Sequence, residues 1–119
     1  MTGARHPELA AGRWWTLSLA EQLGNVGSEV SRALRWQGRN PELASGALCR
    51  ALELLDLTLA DRRHQQAPAR LREIARAREV VVDFLAGPNQ YRSTGPSLQK
   101  YFDAYAMAAR RALLGSTTS

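Results

Sequence analysis

The chain reads as an all-α protein, an up-and-down four-helix bundle preceded by a short N-terminal arm, and three observations predict it. Apolar residues recur at alternating spacings of three and four in separate stretches, no stretch alternates apolar and polar residues with a period of two, and Gly, Pro and capping residues punctuate the gaps. Its 119 residues, 45% of them hydrophobic, suffice for one modest core. The expected organisation is an arm over residues 1–17, a bundle over 18–115 and a frayed tail over 116–119.

The arm holds Gly3, Pro7, Gly12 and the pair Trp14 and Trp15, and shows no helical period. The first predicted helix starts at Ser18. Ser18 and Glu21 make the S-x-x-E capping box, in which each side chain satisfies a backbone amide near the other. Leu19, Leu23, Val26, Val30 and Ala33 form its apolar stripe, which runs to about Gln37, and Gly38 stops it. Asn40 followed by Pro41 opens the second helix, because asparagine caps well and proline fits a first turn whose amide has no partner anyway. This helix spans Pro41 to Asp61, and a turn occupies Arg62 to Ala67. The third helix begins near Pro68, carries Leu71, Ile74, Val81 and Leu85, and ends at Gly87 and Pro88. Thr94 caps the fourth, with Pro96 in its first turn; Leu98, Phe102, Tyr105, Ala109 and Ala112 make its stripe, and Gly115 stops it.

Composition excludes several classes of function. No apolar run approaches the roughly 20 residues that span a bilayer. The N-terminal stretch is interrupted by Arg5, His6, Glu8 and Arg13, unlike a secretory signal, so a cytoplasmic location is expected. A single cysteine, Cys49, rules out an internal disulfide and any multi-cysteine metal site, and it reads as a small structural filler. His6 and His64 lack the spacing to carboxylates that a metal site or a general base needs. No catalytic residue, metal or cofactor is expected.

The formal charge is +5, and every basic residue but Lys100 is arginine. Arginine grips phosphate with a forked, bidentate geometry, so the balance suits a polyanionic partner; a basic face that is simply solvated is the alternative. Arg62 and Arg63 stand before the third helix and Arg70, Arg72 and Arg76 within it, where Glu79 and Asp83 share the outer face of Arg72 and Arg76 and offer them intrahelical ion pairs. Lys100, Arg110 and Arg111 lie on the fourth. If these faces adjoin, they make one phosphate-binding surface, with Tyr91 and Arg92 of the 87–95 loop able to stack on a base or grip a phosphate. Arg78 falls on the apolar face and calls for a buried ion pair with Asp56, Glu53 or Glu29.

Two further features concern packing. Ala20, Gly24, Gly27 and Ser31 form a strip of small residues that lets a neighbouring helix approach closely, whether within the bundle or as a partner. The second helix is apolar over more than half its circumference, wider than a small bundle needs, and its flank at Leu52, Leu57 and Leu59 is the expected interface of a homo-oligomer. Burial by its neighbours and the Trp14–Trp15 arm is the alternative.

The order of a capped helix, an Asn-Pro-started helix, an arginine-rich helix, the Pro88-Asn89-Gln90-Tyr91 loop and an aromatic-alanine last helix resembles small bacterial four-helix proteins. These are the accessory variability determinants of diversity-generating retroelements and the related proteins encoded in ribosomal-RNA intervening sequences. The likeness covers residues 18 to 114 and consists of architecture, size and basicity; no motif matches residue by residue, so no binding residue is carried over. The resemblance implies a ring-like homo-oligomer that binds nucleic acid and a reverse transcriptase without chemistry of its own. Two other readings stand beside it. One is a protein adaptor that docks a partner helix on the second-helix flank. The other is a ribonuclease of the HEPN type, whose R-x4-6-H motif this chain lacks, since no arginine lies five to seven residues before His64.

Overall fold

The structure, a computed structural model, describes residues 7–118, with side chains described for residues 11–115. The described residues form six α-helices and no strand: α1 (Pro7–Trp14), α2 (Leu19–Trp36), α3 (Pro41–Leu59), α4 (Arg62–Gln65), α5 (Pro68–Ala86) and α6 (Gly95–Thr118). None of them is long and apolar enough to cross a membrane.

The helix starts form for the reasons the sequence supplies. Ser18 and Glu21 exchange both capping hydrogen bonds at the head of α2. The Asn40 side chain accepts from Leu43 N, with Pro41 in the first turn of α3. Gly38 takes a left-handed φ of 79°, which ends the α2 backbone and turns the chain into α3. At α6, Thr94 Oγ1 accepts from Ser97 N while Ser97 Oγ accepts from Thr94 N, a capping box with serine in the place of glutamate.

The core gathers Leu23, Val26 and Val30 from α2, Ala51 and Leu55 from α3, Ile74, Ala77 and Val81 from α5, and Leu98 and Phe102 from α6. Helix α2 lies between α3 and α6 and packs along both. The small strip explains how α6 comes so near. A Cβ added at Gly24 would stand 3.1 Å from Ala106 Cα, and one at Gly27 would stand 2.5 Å from Phe102 Cβ. The strip therefore serves packing within the chain. Helix α5 leans on α3, whereas the α5 and α6 backbones stay apart and are bridged by side chains.

Four expectations need correction. The arm is not irregular: residues 7–14 are α1, because Pro7 opens a helical turn and buried Trp14 anchors the segment to the core, its Nε1 donating to Thr58 Oγ1 at 2.9 Å. Residues 1–6 of that arm lie outside the described residues. The second long helix stops at Leu59 rather than Asp61, and Asp61 instead accepts from Arg63 N to cap α4, a four-residue helix inside the expected turn. Helix α6 does not end at Gly115; that glycine keeps a helical backbone rather than the left-handed one that terminates a helix, and the last turn runs through the expected tail to Thr118. Cys49 is exposed on α3 and fills nothing.

Leu52, Leu57 and Leu59 are half-buried and packed against the core. Trp15 covers part of this flank, its Nε1 donating to Leu57 O at 2.8 Å. Among the described residues, the most exposed large apolar side chains lie on α6, at Met107, Leu113 and Leu114.

Candidate nucleic-acid interface

The cations sort by what holds them. Arg32 and Arg50 pair with Glu29, Arg63 with Asp61 and Arg78 with Asp56. Arg78 thus finds one of its expected partners, at 2.7 Å, but not in the interior: the two side chains are 36% and 58% exposed. The arginine stem crosses the apolar face and the guanidinium emerges at the edge, where the charge keeps its water. Arg63 is fully engaged, donating to both oxygens of Asp61 and to Leu17 O. Among the described residues, no carboxylate lies within ion-pair distance of Arg62, Arg70, Arg72, Arg76, Arg92, Lys100, Arg110 or Arg111, and all of these are exposed.

The expected intrahelical pairs of Arg72 and Arg76 do not form, because Glu79 and Asp83 bond to the loop. Asp83 accepts from Gln90 N and Tyr91 N at 2.7 and 2.9 Å, and Glu79 accepts from the Tyr91 hydroxyl at 2.8 Å, which holds that phenol's proton and raises its pKa. Asn89, in a left-handed conformation, closes the loop by exchanging hydrogen bonds with Ser93 N and O. Arg92 is also left-handed, with a φ of 54°. Arg76 sits over the Tyr91 ring, 5.9 Å from its centroid, in cation–π contact.

The structure brings Arg62 and Arg63 to a shallow depression of about 500 Å³ beside Trp15, a residue 39% exposed. Arg70 stands near the same end, close enough to His64 to disfavour its protonation. Arg76 and the loop form a second basic locus. Lys100, Arg110 and Arg111 project from α6 and make no hydrogen bond or ion pair among the described residues. The α2 cation Arg35, absent from the predicted set, lines a groove of about 380 Å³ between α2 and α6 with Gln99 and Asp103.

Sequence reasoning missed a polar network behind the Trp15 corner. Gln22 is fully buried and donates its amide to Trp14 O and to Asp61 Oδ2, both at 3.0 Å. Its oxygen is left to accept, so His64 Nε2, at 2.6 Å, carries the proton. His64 is 1% exposed, and its Nδ1 has no hydrogen-bond partner among the described residues. Burial lowers the His64 pKa against the pull of Asp61, leaving the ring neutral. The Arg63 guanidinium holds the Asp61 carboxyl far below the usual range despite its burial, with help from Gln22. The available signal was Gln22 itself, a polar residue sharing the buried face of Leu19 and Val26 at spacings of three and four.

Between α5 and α6 lies a cleft of about 350 Å³, closed at one end by the loop. Its apolar lining includes Val80, Leu98 and Phe102, and its polar side chains are Glu73, Arg76, Ser93, Ser97 and Tyr101. Tyr101 donates to Glu73 Oε2, and burial together with this bond raises its pKa far above the phenol range. Tyr101 also packs edge-on against Phe102 and Tyr105. Among the described residues, no group of three or more His, Cys, Asp or Glu side chains is placed to hold a metal ion.

Comparison with family models, with curated proteins and with solved structures gives no match for this chain.

Proposed function

We propose that this protein is a non-catalytic, basic helical accessory factor that binds nucleic acid in the cytoplasm and works as a homo-oligomer. The observation that carries the reading is the division of the cations: Arg32, Arg50, Arg63 and Arg78 are paired, while Arg62 of α4, Arg70, Arg72 and Arg76 of α5, Arg92 of the loop and the cations of α6 have no carboxylate partner among the described residues. Unpaired arginines keep their donors for phosphate and exchange condensed counterions on binding. On this reading α2, α3, α5 and α6 form an up-and-down four-helix bundle, α1 and α4 brace one end, and Leu52, Leu57 and Leu59 border the flank where a second subunit completes burial. The resemblance to retroelement accessory proteins makes a reverse transcriptase the partner to test. The burial of His64 speaks for binding over ribonuclease chemistry, because a ring enclosed by Gln22, Asp61 and the helices does not reach a phosphodiester.

Changing Arg72, Arg76, Arg110 and Arg111 together to glutamine tests the surface. Binding to single-stranded RNA weakens, and the slope of log affinity against log salt falls by about 0.7 for each phosphate contact removed. Circular dichroism stays helical, since all four side chains are exposed. Unchanged affinity in that variant rejects the surface. Absence of binding in the wild-type protein at any salt favours the adaptor reading, in which a partner helix docks on the α3 flank at Leu52, Leu57 and Leu59.

A further inference from the structure

The cleft between α5 and α6 exists because these two helices do not close on each other. Tyr101 reaches across to Glu73, and the space beside that bridge remains open. Its volume of about 350 Å³ falls within the range of small-ligand sites, roughly 300–1,000 Å³. Three chemistries converge there. Leu98, Phe102 and Val80 supply an apolar wall, Glu73 supplies acceptors, and Arg76 supplies a guanidinium without a carboxylate partner among the described residues. Because the Tyr101 hydroxyl donates to Oε2, Glu73 faces the cleft as an acceptor, and its Oε1 receives no hydrogen bond among the described residues.

A ligand that satisfies this arrangement needs a flat ring for the apolar wall, adjacent N–H donors for the carboxylate and an anion for the arginine. Guanine carries N1–H and an exocyclic N2–H side by side, so one carboxylate takes both. Adenine and cytosine place a ring acceptor next to their amino group, which sets a lone pair against Glu73, and uracil flanks its single N–H with carbonyl oxygens. A phosphate within reach of the base completes the match at Arg76.

We propose that the α5–α6 cleft is a binding pocket for a guanine nucleotide. The same chemistry comes from a free nucleotide or from a residue everted from a bound strand, and only the second source rests on the nucleic-acid reading above.

The test is a titration followed by the NMR signals of Val80, Leu98 and Phe102, with GMP, AMP, UMP, guanosine and inorganic phosphate as separate probes. GMP moves these signals at concentrations at least about tenfold below those needed for AMP or UMP, the discrimination expected of a bidentate base contact. Glu73→Gln keeps an oxygen for the Tyr101 hydroxyl and weakens GMP at least about tenfold. Arg76→Gln, a change at an exposed side chain, brings GMP down to the affinity of guanosine and leaves guanosine itself unaffected. No movement of the cleft signals with GMP, equal response to GMP and UMP, or wild-type affinity in both variants overturns the pocket.

A parallel titration of oligo(U), with and without one central guanosine, separates the sources and the two proposals. Tighter binding of the guanosine-containing strand assigns the pocket to a strand residue, and equal binding with GMP still active assigns it to the free nucleotide. GMP binding without oligo(U) binding removes the nucleic-acid surface and keeps the pocket. Oligo(U) binding without GMP binding does the reverse.

Discussion

Two short segments are tied to the long helices by polar networks, and they differ in their access to water. At one end, Gln22, Asp61, His64 and the Trp14 carbonyl join α1, α2 and α4 in a buried cluster. At the other, Asp83 and Glu79 hold the 87–94 loop through Gln90 and Tyr91 in largely exposed hydrogen bonds. A hydrogen bond contributes little net stability where water can replace a lost partner, and a buried group left without its partner costs about 1–3 kcal/mol. The buried cluster therefore acts as part of the core, while the exposed one acts as an adjustable fastening.

The comparison is broken or sharpened by three measurements. Gln22→Leu has the largest effect: it leaves Asp61, His64 and the Trp14 carbonyl short of a partner, and urea unfolding shows a loss of about 3 kcal/mol. A loss below about 1 kcal/mol means that water reaches the cluster. The second effect is a response to acid. The folded His64 has a pKa below its ordinary 6.5, so the unfolded chain takes up a proton that the folded one refuses. Stability is undiminished above that pH and falls as the pH drops below it. Asp61, also depressed when folded, adds a further loss as the pH falls through and below its ordinary 3.8. Urea midpoints at pH 7.5 and 5.5 check the first step, and a slope that persists in His64→Met assigns it elsewhere. The smallest effect belongs to Asp83→Ala, which costs about 1 kcal/mol globally, with faster amide exchange confined to Gln90 and Tyr91. Equal destabilisation by Asp83→Ala and Gln22→Leu erases the distinction.

The long helices were legible because punctuation and periodicity agree at each of them: Ser18 with Glu21, Gly38, Asn40 with Pro41, Pro68, Gly87 with Pro88, and Thr94 before Pro96 all stand at or beside an observed boundary. Helices α1 and α4 were not, since eight and four residues are too few for a period to emerge, Pro7 and Gly12 in α1 read as breakers, and the all-polar α4 reads as a turn. Asp56 was a legible partner for Arg78, but its exposure was not, because a helical wheel places a Cα and says nothing of where a long stem ends. The intrahelical pairing expected of Glu79 and Asp83 failed for a related reason: a loop that folds back competes for them with its own amides and phenol. The cleft depends on how far α5 stands from α6, a distance that no single helix encodes.

The notch at Gly27, filled by Phe102, makes the α2–α6 contact stepwise. To slide along α2 by one turn, about 5.4 Å, α6 must lift its ring out of the notch and set it down against Leu23 or Ser31, where a side chain already stands. Intermediate offsets have no seat for the ring at all. The pair therefore behaves as a detent, its register held at two points one turn apart, Phe102 against Gly27 and Ala106 against Gly24.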